Sequence, residues 1–135
     1  MKELTLEAAV GNVAEVLAFV DAELERADCP MKAQMQLDLA MEEIFVNIAN
    51  YAYAPGTGMA TVRVEVAGDP PEATVTFEDR GIPYDPLAKE DPDVTLPAEE
   101  RQIGGLGIFL TKSIMDEVTY AYTDGRNVLT LKKKL

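Results

Sequence analysis

Leu4 and Leu6 alternate with polar neighbours, which predicts a short strand over Glu3 to Leu6. Val13, Val16, Leu17, Val20 and Leu24 then recur at helical spacing, and the Asp28-Cys29-Pro30 break ends that helix. A second helix is predicted from Met31 to Tyr53, stopped by the turn-forming run Ala54-Pro55-Gly56-Thr57-Gly58. Leu37, Leu39, Met41, Ile44, Phe45, Val46 and Ile48 make this helix apolar around most of its circumference, so it is expected to be largely buried. Thr61 to Ala67 and Ala73 to Phe77 read as β-branched strands joined by a hairpin at Gly68-Asp69-Pro70-Pro71. From about Pro86 to Ile103 the chain shows prolines and acids but no sustained period. A connection that long inside a compact domain is usually a lid or another functional loop. Ile108 to Met115 then look helical, and Val118 to Tyr122 and Val128 to Leu131 read as strands around Thr123-Asp124-Gly125-Arg126. The order β-α-α-β-β-loop-α-β-β predicts an α+β fold, a two-layer sandwich with helices on one face of a mostly antiparallel sheet.

Length and charge narrow what such a fold can do. At 135 residues, the span 1–135 is expected to be a single domain. A formal charge of −12 argues against a nucleic-acid partner, and the run Lys132-Lys133-Lys134 is too short to reverse that. The absence of histidine removes imidazole catalysis, His-ligated zinc and phosphohistidine chemistry from these residues. Cys29 is the single cysteine, so no intrachain disulfide can form and a reducing compartment fits. The apolar runs are too short to span a bilayer, and Met1-Lys2-Glu3-Leu4-Thr5-Leu6 lacks the features of a signal peptide. The expected location is cytoplasmic, away from membranes.

Three segments carry candidate chemistry, and each has a plain structural reading beside the functional one. Glu43, Asn47 and Asn50 fall on one stripe of the second helix, at i, i+4 and i+7. Burying such groups without partners costs several kcal/mol, so the stripe faces either a ligand-filled cleft or open solvent. Asp79-Arg80-Gly81 follows a strand, and Asp-x-Gly makes a tight turn that can point the carboxylate into a pocket. An ionised carboxylate only accepts hydrogen bonds, which suits an exocyclic amine such as that of adenine, although an ordinary strand-end turn reads the same way. Gly104-Gly105-Leu106-Gly107 opens a helix, where free N–H groups and close backbone approach favour phosphate oxygens. It is neither a Walker A motif, since the Lys-Ser/Thr pair is missing, nor a Rossmann fingerprint, since no strand precedes it.

In combination, helical Glu-x-x-x-Asn, strand-Asp-x-Gly, a lid, and Gly-Gly-Leu-Gly opening a helix resemble the GHKL ATPase superfamily with its Bergerat nucleotide fold. Asp85-Pro86, Met115-Asp116-Glu117-Val118 and Gly125-Arg126-Asn127-Val128-Leu129 look like its bacterial anti-sigma-factor serine/threonine kinase branch. The resemblance implies that Glu43 is the general base, Asn47 the Mg²⁺ ligand, Asp79 the adenine-reading carboxylate and Gly81 the small residue beneath the base. It also assigns Gly104, Gly105, Leu106 and Gly107 to the phosphate loop, with Arg101 as a cation for the terminal phosphate or a solvated lid residue. The implied activity is transfer of the γ-phosphoryl of ATP to a serine or threonine of a small anti-sigma-factor antagonist. A sigma factor is the second implied partner, and relatives of this kind often dimerise through the N-terminal strand and helix. The alternatives are an ATP-binding regulatory module that sequesters a partner without catalysis, the catalytic domain of a histidine kinase, and a nucleotide-free structural domain. Two positions depart from the family pattern: Tyr51 stands where many relatives carry His, and Asn127 where kinases of this kind often have Thr.

Overall fold

A strand with alternate apolar residues can bury one face, and four of the five strands here bury that face under the same helices. The computed structural model describes residues 1–88 and 106–135. Strand β1 (Lys2–Glu7) leads through a 3₁₀ turn, Val10–Asn12, into α1 (Val13–Arg26) and then α2 (Met31–Asn47). A π-helical turn, Ile48–Ala52, extends α2 before β2 (Met59–Ala67) and β3 (Glu72–Asp79). After the short 3₁₀ turn Pro86–Ala88 and the undescribed residues come α3 (Leu106–Ile114), β4 (Glu117–Thr123) and β5 (Arg126–Lys134). The strands form one sheet in the order β1-β2-β3-β5-β4, every neighbouring pair antiparallel. The fold is α+β, two-layered, as its element order predicts.

Period-two burial sets the sheet's inner face. Ala60, Val62 and Val64 of β2, Ala73, Val75 and Phe77 of β3, and Leu129 and Leu131 of β5 are buried together. Val16, Val20 and Leu24 supply one stripe of α1, and Leu37, Ala40, Met41, Ile44 and Phe45 supply the inner side of α2. Each large side chain so buried contributes about 1.5–3 kcal/mol relative to exposure. The opposite face of the sheet is polar: Arg63 pairs with Glu3 at 2.9 Å and with Glu78 at 3.2 Å, and Arg126 meets Glu78 at 2.6 Å. Asp124 and Gly125, with φ of 54° and 74°, form the two-residue turn between β4 and β5. Two consecutive left-handed residues suit a type I′ hairpin, which explains the Asp-Gly pair.

Two expectations about the second helix need correction. The helix does not run unbroken to Tyr53, because the π-turn widens its last turn and leaves Asn50 exposed rather than in line with Glu43 and Asn47. Nor is it buried all round. Leu39 is 63% exposed and Met31 and Met35 are exposed with it, because only one side of α2 meets the sheet and its neighbouring helices. The third helix starts at Leu106 rather than Ile108, so Gly107 lies inside its first turn. The predicted lid from Pro86 to Ile103 falls almost wholly outside the described residues; Pro86 itself is buried. Among the described residues no helix is long and apolar enough to cross a membrane.

Candidate functional site

Strand alternation places Asp79 where an apolar residue is expected. Ala73, Val75, Phe77 and Asp79 are successive inward positions of β3, and Asp79 is only 5% exposed. Its direct partner in register on β5 is Asn127, which is 6% exposed and shares the inward phase of Leu129 and Leu131. Two polar residues thus end two apolar rows side by side. Burial of this kind is tolerable only with hydrogen bonds, and the pair is well supplied. Asp79 Oδ1 accepts from the Gly81 N–H at 2.9 Å and from Asn127 Nδ2 at 2.9 Å. Asn127 Nδ2 also donates to the Ile82 carbonyl at 2.8 Å, while its Oδ1 accepts from the Tyr84 N–H at 3.1 Å and from the Tyr120 hydroxyl. Burial pushes the Tyr120 phenol above its ordinary range, which keeps it a donor. No described residue donates to Asp79 Oδ2.

The turn after Asp79 is pressed against the end of α2. The Ile82 N–H donates to the Ala52 carbonyl at 2.9 Å. A Cβ on Gly81 would stand 2.1 Å from that same oxygen, so only glycine allows the approach. Tyr53 fastens the next residues: its hydroxyl donates to the Met59 carbonyl at 2.6 Å and accepts from the Arg80 N–H at 2.7 Å. Burial, the largest influence, raises the Tyr53 phenol above its ordinary range. The π-turn is therefore the place where the helix is stapled to the Asp-Arg-Gly turn. Ile44, Asn47, Ile48, Ala52, Phe77, Asp79, Tyr84, Pro86, Tyr120, Asn127 and Leu129 line a single apolar pocket between them. Tyr51 stays exposed, and its ring centroid lies 6.0 Å from that of Tyr84, a residue that lines this pocket.

At the opposite end, Asn47 donates through Nδ2 to Glu43 Oε1 at 3.2 Å. That bond turns the amide oxygen of Asn47 away from the carboxylate, and no described residue donates to it. Helix α3 crosses so closely that a Cβ on Gly107 would fall 2.1 Å from Glu43 Cδ and 2.3 Å from both carboxylate oxygens. Glu43, Gly107 and Thr111 share the floor of a groove between α2 and α3, with Leu39 and Leu110 on its rims. Thr111 is held by its hydroxyl, which donates to the Gly107 carbonyl at 2.9 Å.

The structure places Asn47 and Asp79 on the apolar pocket and Glu43 and Gly107 on the groove between α2 and α3, with the Asn47–Glu43 bond linking the two, while Gly81 packs against Ala52 in the turn after Asp79. Arg101, Gly104 and Gly105 lie outside the described residues, as does the side chain of Leu106. The sequence marks Asn127 as a departure from the family pattern and leaves its contact open, and it assigns no role to Tyr53, Tyr84 or Tyr120. One signal was available: Asn127 is a polar residue in the inward phase of a strand otherwise apolar at Leu129 and Leu131.

Asp79 thus keeps one carboxylate oxygen without a donor among the described residues, Asn47 keeps its amide oxygen, and the Glu43 carboxylate lies against Gly107. The chain is 29% identical over 100 residues to the serine/threonine-protein kinase BtrW of Bordetella bronchiseptica, covering 74% of this chain and 70% of that one. It is 31% identical over 112 residues to the serine-protein kinase RsbW of Listeria monocytogenes, covering 79% and 70%. The solved histidine kinase AdeS of Acinetobacter baumannii overlays 99% of this chain and 68% of its own, with a TM-score of 0.47 and 14% identity. Residues 6–133 match the family model described as the histidine kinase-like ATPase domain, and the chain belongs to that family.

Proposed function

We propose that the chain is an ATP-dependent serine/threonine protein kinase that also acts as an anti-sigma factor, phosphorylating a small anti-sigma-factor antagonist. The observation that carries this reading is the contact of Glu43 with Asn47 and Gly107, where Asn47 also lines the pocket that holds Asp79. Nucleotide binding by itself needs no carboxylate at the anionic end. A residue of that kind, placed beside the position of a terminal phosphate, suits a base for an attacking hydroxyl. The kinase relatives from Bordetella and Listeria support the same activity.

The residues divide the work by position. Asp79 Oδ2 accepts from the exocyclic amine of adenine, and Gly81 leaves room beneath the ring. The free N–H groups of the first turn of α3 face the phosphates, and Gly107 lets the backbone come close. Asn47 fits a Mg²⁺ ligand because its amide oxygen is a hard donor without a partner. Among the described residues no cluster of three or more acids or cysteines could form an all-protein metal site. One protein ligand with the remaining positions left to phosphate and water is the usual arrangement for that ion. Bound there, Mg²⁺ supplies charge neutralisation on the phosphates. Glu43 takes the proton from the acceptor hydroxyl through Oε2, since Oε1 is held by Asn47. Arg101 is assigned to the terminal phosphate and Gly104, Gly105 and Leu106 to the phosphate loop by the family resemblance. The same resemblance supports a cytoplasmic location, a sigma factor as second partner and a homodimer through β1 and α1.

Incubation with γ-labelled ATP, Mg²⁺ and the host organism's anti-sigma-factor antagonists tests the proposal. The expected result is label on a serine or threonine of one antagonist with wild type. Binding of ATP without transfer to any antagonist would replace the kinase with a non-catalytic regulatory module.

A further inference from the structure

We infer that Asn127 makes the pocket select adenine over guanine, by occupying one carboxylate oxygen of Asp79 and leaving only the other for a base. The inference rests on the reading of the cleft as a purine-nucleotide site. It concerns Asn127, which stands where kinases of this kind often have Thr and whose contact the resemblance leaves open.

The orientation of the Asn127 amide follows from its neighbours. The Ile82 carbonyl can only accept and the Tyr84 backbone N–H can only donate, so Nδ2 must face the first and Oδ1 the second. That orientation also directs an N–H of Nδ2 to Asp79 Oδ1 at 2.9 Å. With the Gly81 N–H on the same oxygen, both acceptor positions of Oδ1 are filled. Both amide hydrogens of Asn127 are used as well, on Asp79 and Ile82, and its carbonyl receives Tyr84 and Tyr120. The network is closed except at Oδ2 of Asp79, a residue that lines the pocket with Asn127 and Tyr120.

The two purines present different edges to that one open acceptor. Adenine offers a single exocyclic amine beside a ring nitrogen that only accepts, so one oxygen satisfies its donor group. Guanine offers two adjacent donors, the ring N1–H and the exocyclic amine, which match a carboxylate with both oxygens free. Here the second guanine donor meets an oxygen already saturated and is left unpaired in an apolar pocket. Its O6 gains no donor from the Asn127 amide, which has none to spare. An unpaired buried donor weakens binding by about ten- to hundredfold. Discrimination therefore arises from what Asn127 takes away from guanine rather than from any contact it makes with adenine.

The test compares Kd for ATP and for GTP, each with Mg²⁺, in wild type and in Asn127→Ala. Wild type is expected to bind ATP about ten- to hundredfold more tightly than GTP. In Asn127→Ala, Asp79 Oδ1 regains a free acceptor position, and that ratio is expected to fall about tenfold. A residue that only supports the fold would weaken both nucleotides alike, so an unchanged ratio overturns the inference. Equal affinity of wild type for the two nucleotides overturns it too. Wild type that binds neither ATP nor GTP defeats the nucleotide reading beneath it, which is a distinguishable failure. Should Asn127→Ala melt before it can be titrated, Tyr120→Phe serves instead. It removes one donor from the Asn127 carbonyl, and the ratio is expected to fall about two- to threefold; no fall overturns the inference.

Discussion

The proposed nucleotide site has two halves, a base end and a phosphate end, and they are built differently. At the base end, Asp79 and Asn127 sit on adjacent strands, in register, and are tied to Gly81, Ile82, Tyr84 and Tyr120 by a nearly closed set of hydrogen bonds. At the phosphate end, Glu43 and Asn47 hold each other by one bond of 3.2 Å on a single helix, and Gly107 of α3 packs closely on the carboxylate. The base end resembles a finished receptor: its hydrogen bonds exist without ligand, so little order has to be created on binding. The phosphate end has spare acceptor capacity on both side chains, which suits a place completed by a metal ion, phosphates and an acceptor hydroxyl. Affinity should therefore belong to the sheet and turnover to the helix pair.

The strongest way to break that division is to remove one carboxylate from each end. Glu43→Ala should lower phosphoryl transfer by about 10²–10⁴-fold, the usual range for loss of a general base, with the Kd for ATP changed by less than about threefold. Asp79→Ala should do the reverse in emphasis, weakening ATP at least about tenfold because it removes the only acceptor offered to the base. Titration calorimetry and single-turnover labelling separate the two. If both variants lose affinity and turnover in the same proportion, the ends are not independent.

Glycine replacements sharpen the comparison at lower amplitude. In Gly107→Ala the new methyl would stand 2.1 Å from Glu43 Cδ, and the flexible carboxylate must swing aside. A shift of that order costs about 10²-fold in transfer, while the alanine favours the helix by up to about 1 kcal/mol. In Gly81→Ala the methyl would stand 2.1 Å from the Ala52 backbone oxygen, which has no such freedom. That variant should lose about 1–3 kcal/mol of stability and bind ATP more weakly. Thermal melts beside the labelling assay decide the matter. A destabilised Gly107→Ala with full turnover, or a stable Gly81→Ala with normal affinity, would contradict the contrast.

What could be foreseen from sequence differs between the ends for the same physical reason. The strands were legible because burial on one face imposes a period of two, and the Asp124-Gly125 turn because left-handed backbone favours those residues. Glu43 and Asn47 were legible as neighbours because helical spacing alone brings them together. The Asp79–Asn127 contact was not, since it joins residues 48 apart whose meeting depends on strand order. The π-turn also escaped notice. Ile48, Ala49, Asn50, Tyr51 and Ala52 suit an ordinary helical turn, and the bonds that fasten the wider one come from distant Ile82 and Arg80. The expectation of a buried second helix failed at Leu39 because apolar content does not reveal which side of a helix is left without a neighbour.

The smallest expected effect concerns the helix that carries Glu43 rather than either end of the cleft. Asp38 of α2 faces Asp21 of α1, and each has one buried carboxylate oxygen without a partner. Burial first, then a hydrogen bond and charge repulsion from Asp21, with Glu25 adding to the repulsion, push the Asp38 carboxyl from 3.8 up to about 7. A carboxyl raised in the folded state stabilises the fold fully below its unfolded value and loses that contribution as pH rises through the folded value. Melting temperature should therefore decline between pH 4 and about 7 in wild type. Asp38→Asn should flatten the decline and melt higher than wild type at pH 8, because the amide stays neutral while still able to donate to Asp21. Parallel melting curves for the two proteins would exclude the carboxyl pair as the cause. Asp38 lines neither the pocket of Asp79 nor the groove of Glu43, so ATP affinity should be unaffected by the substitution at every pH. Any pH dependence of transfer left in Asp38→Asn then belongs to the phosphate end itself.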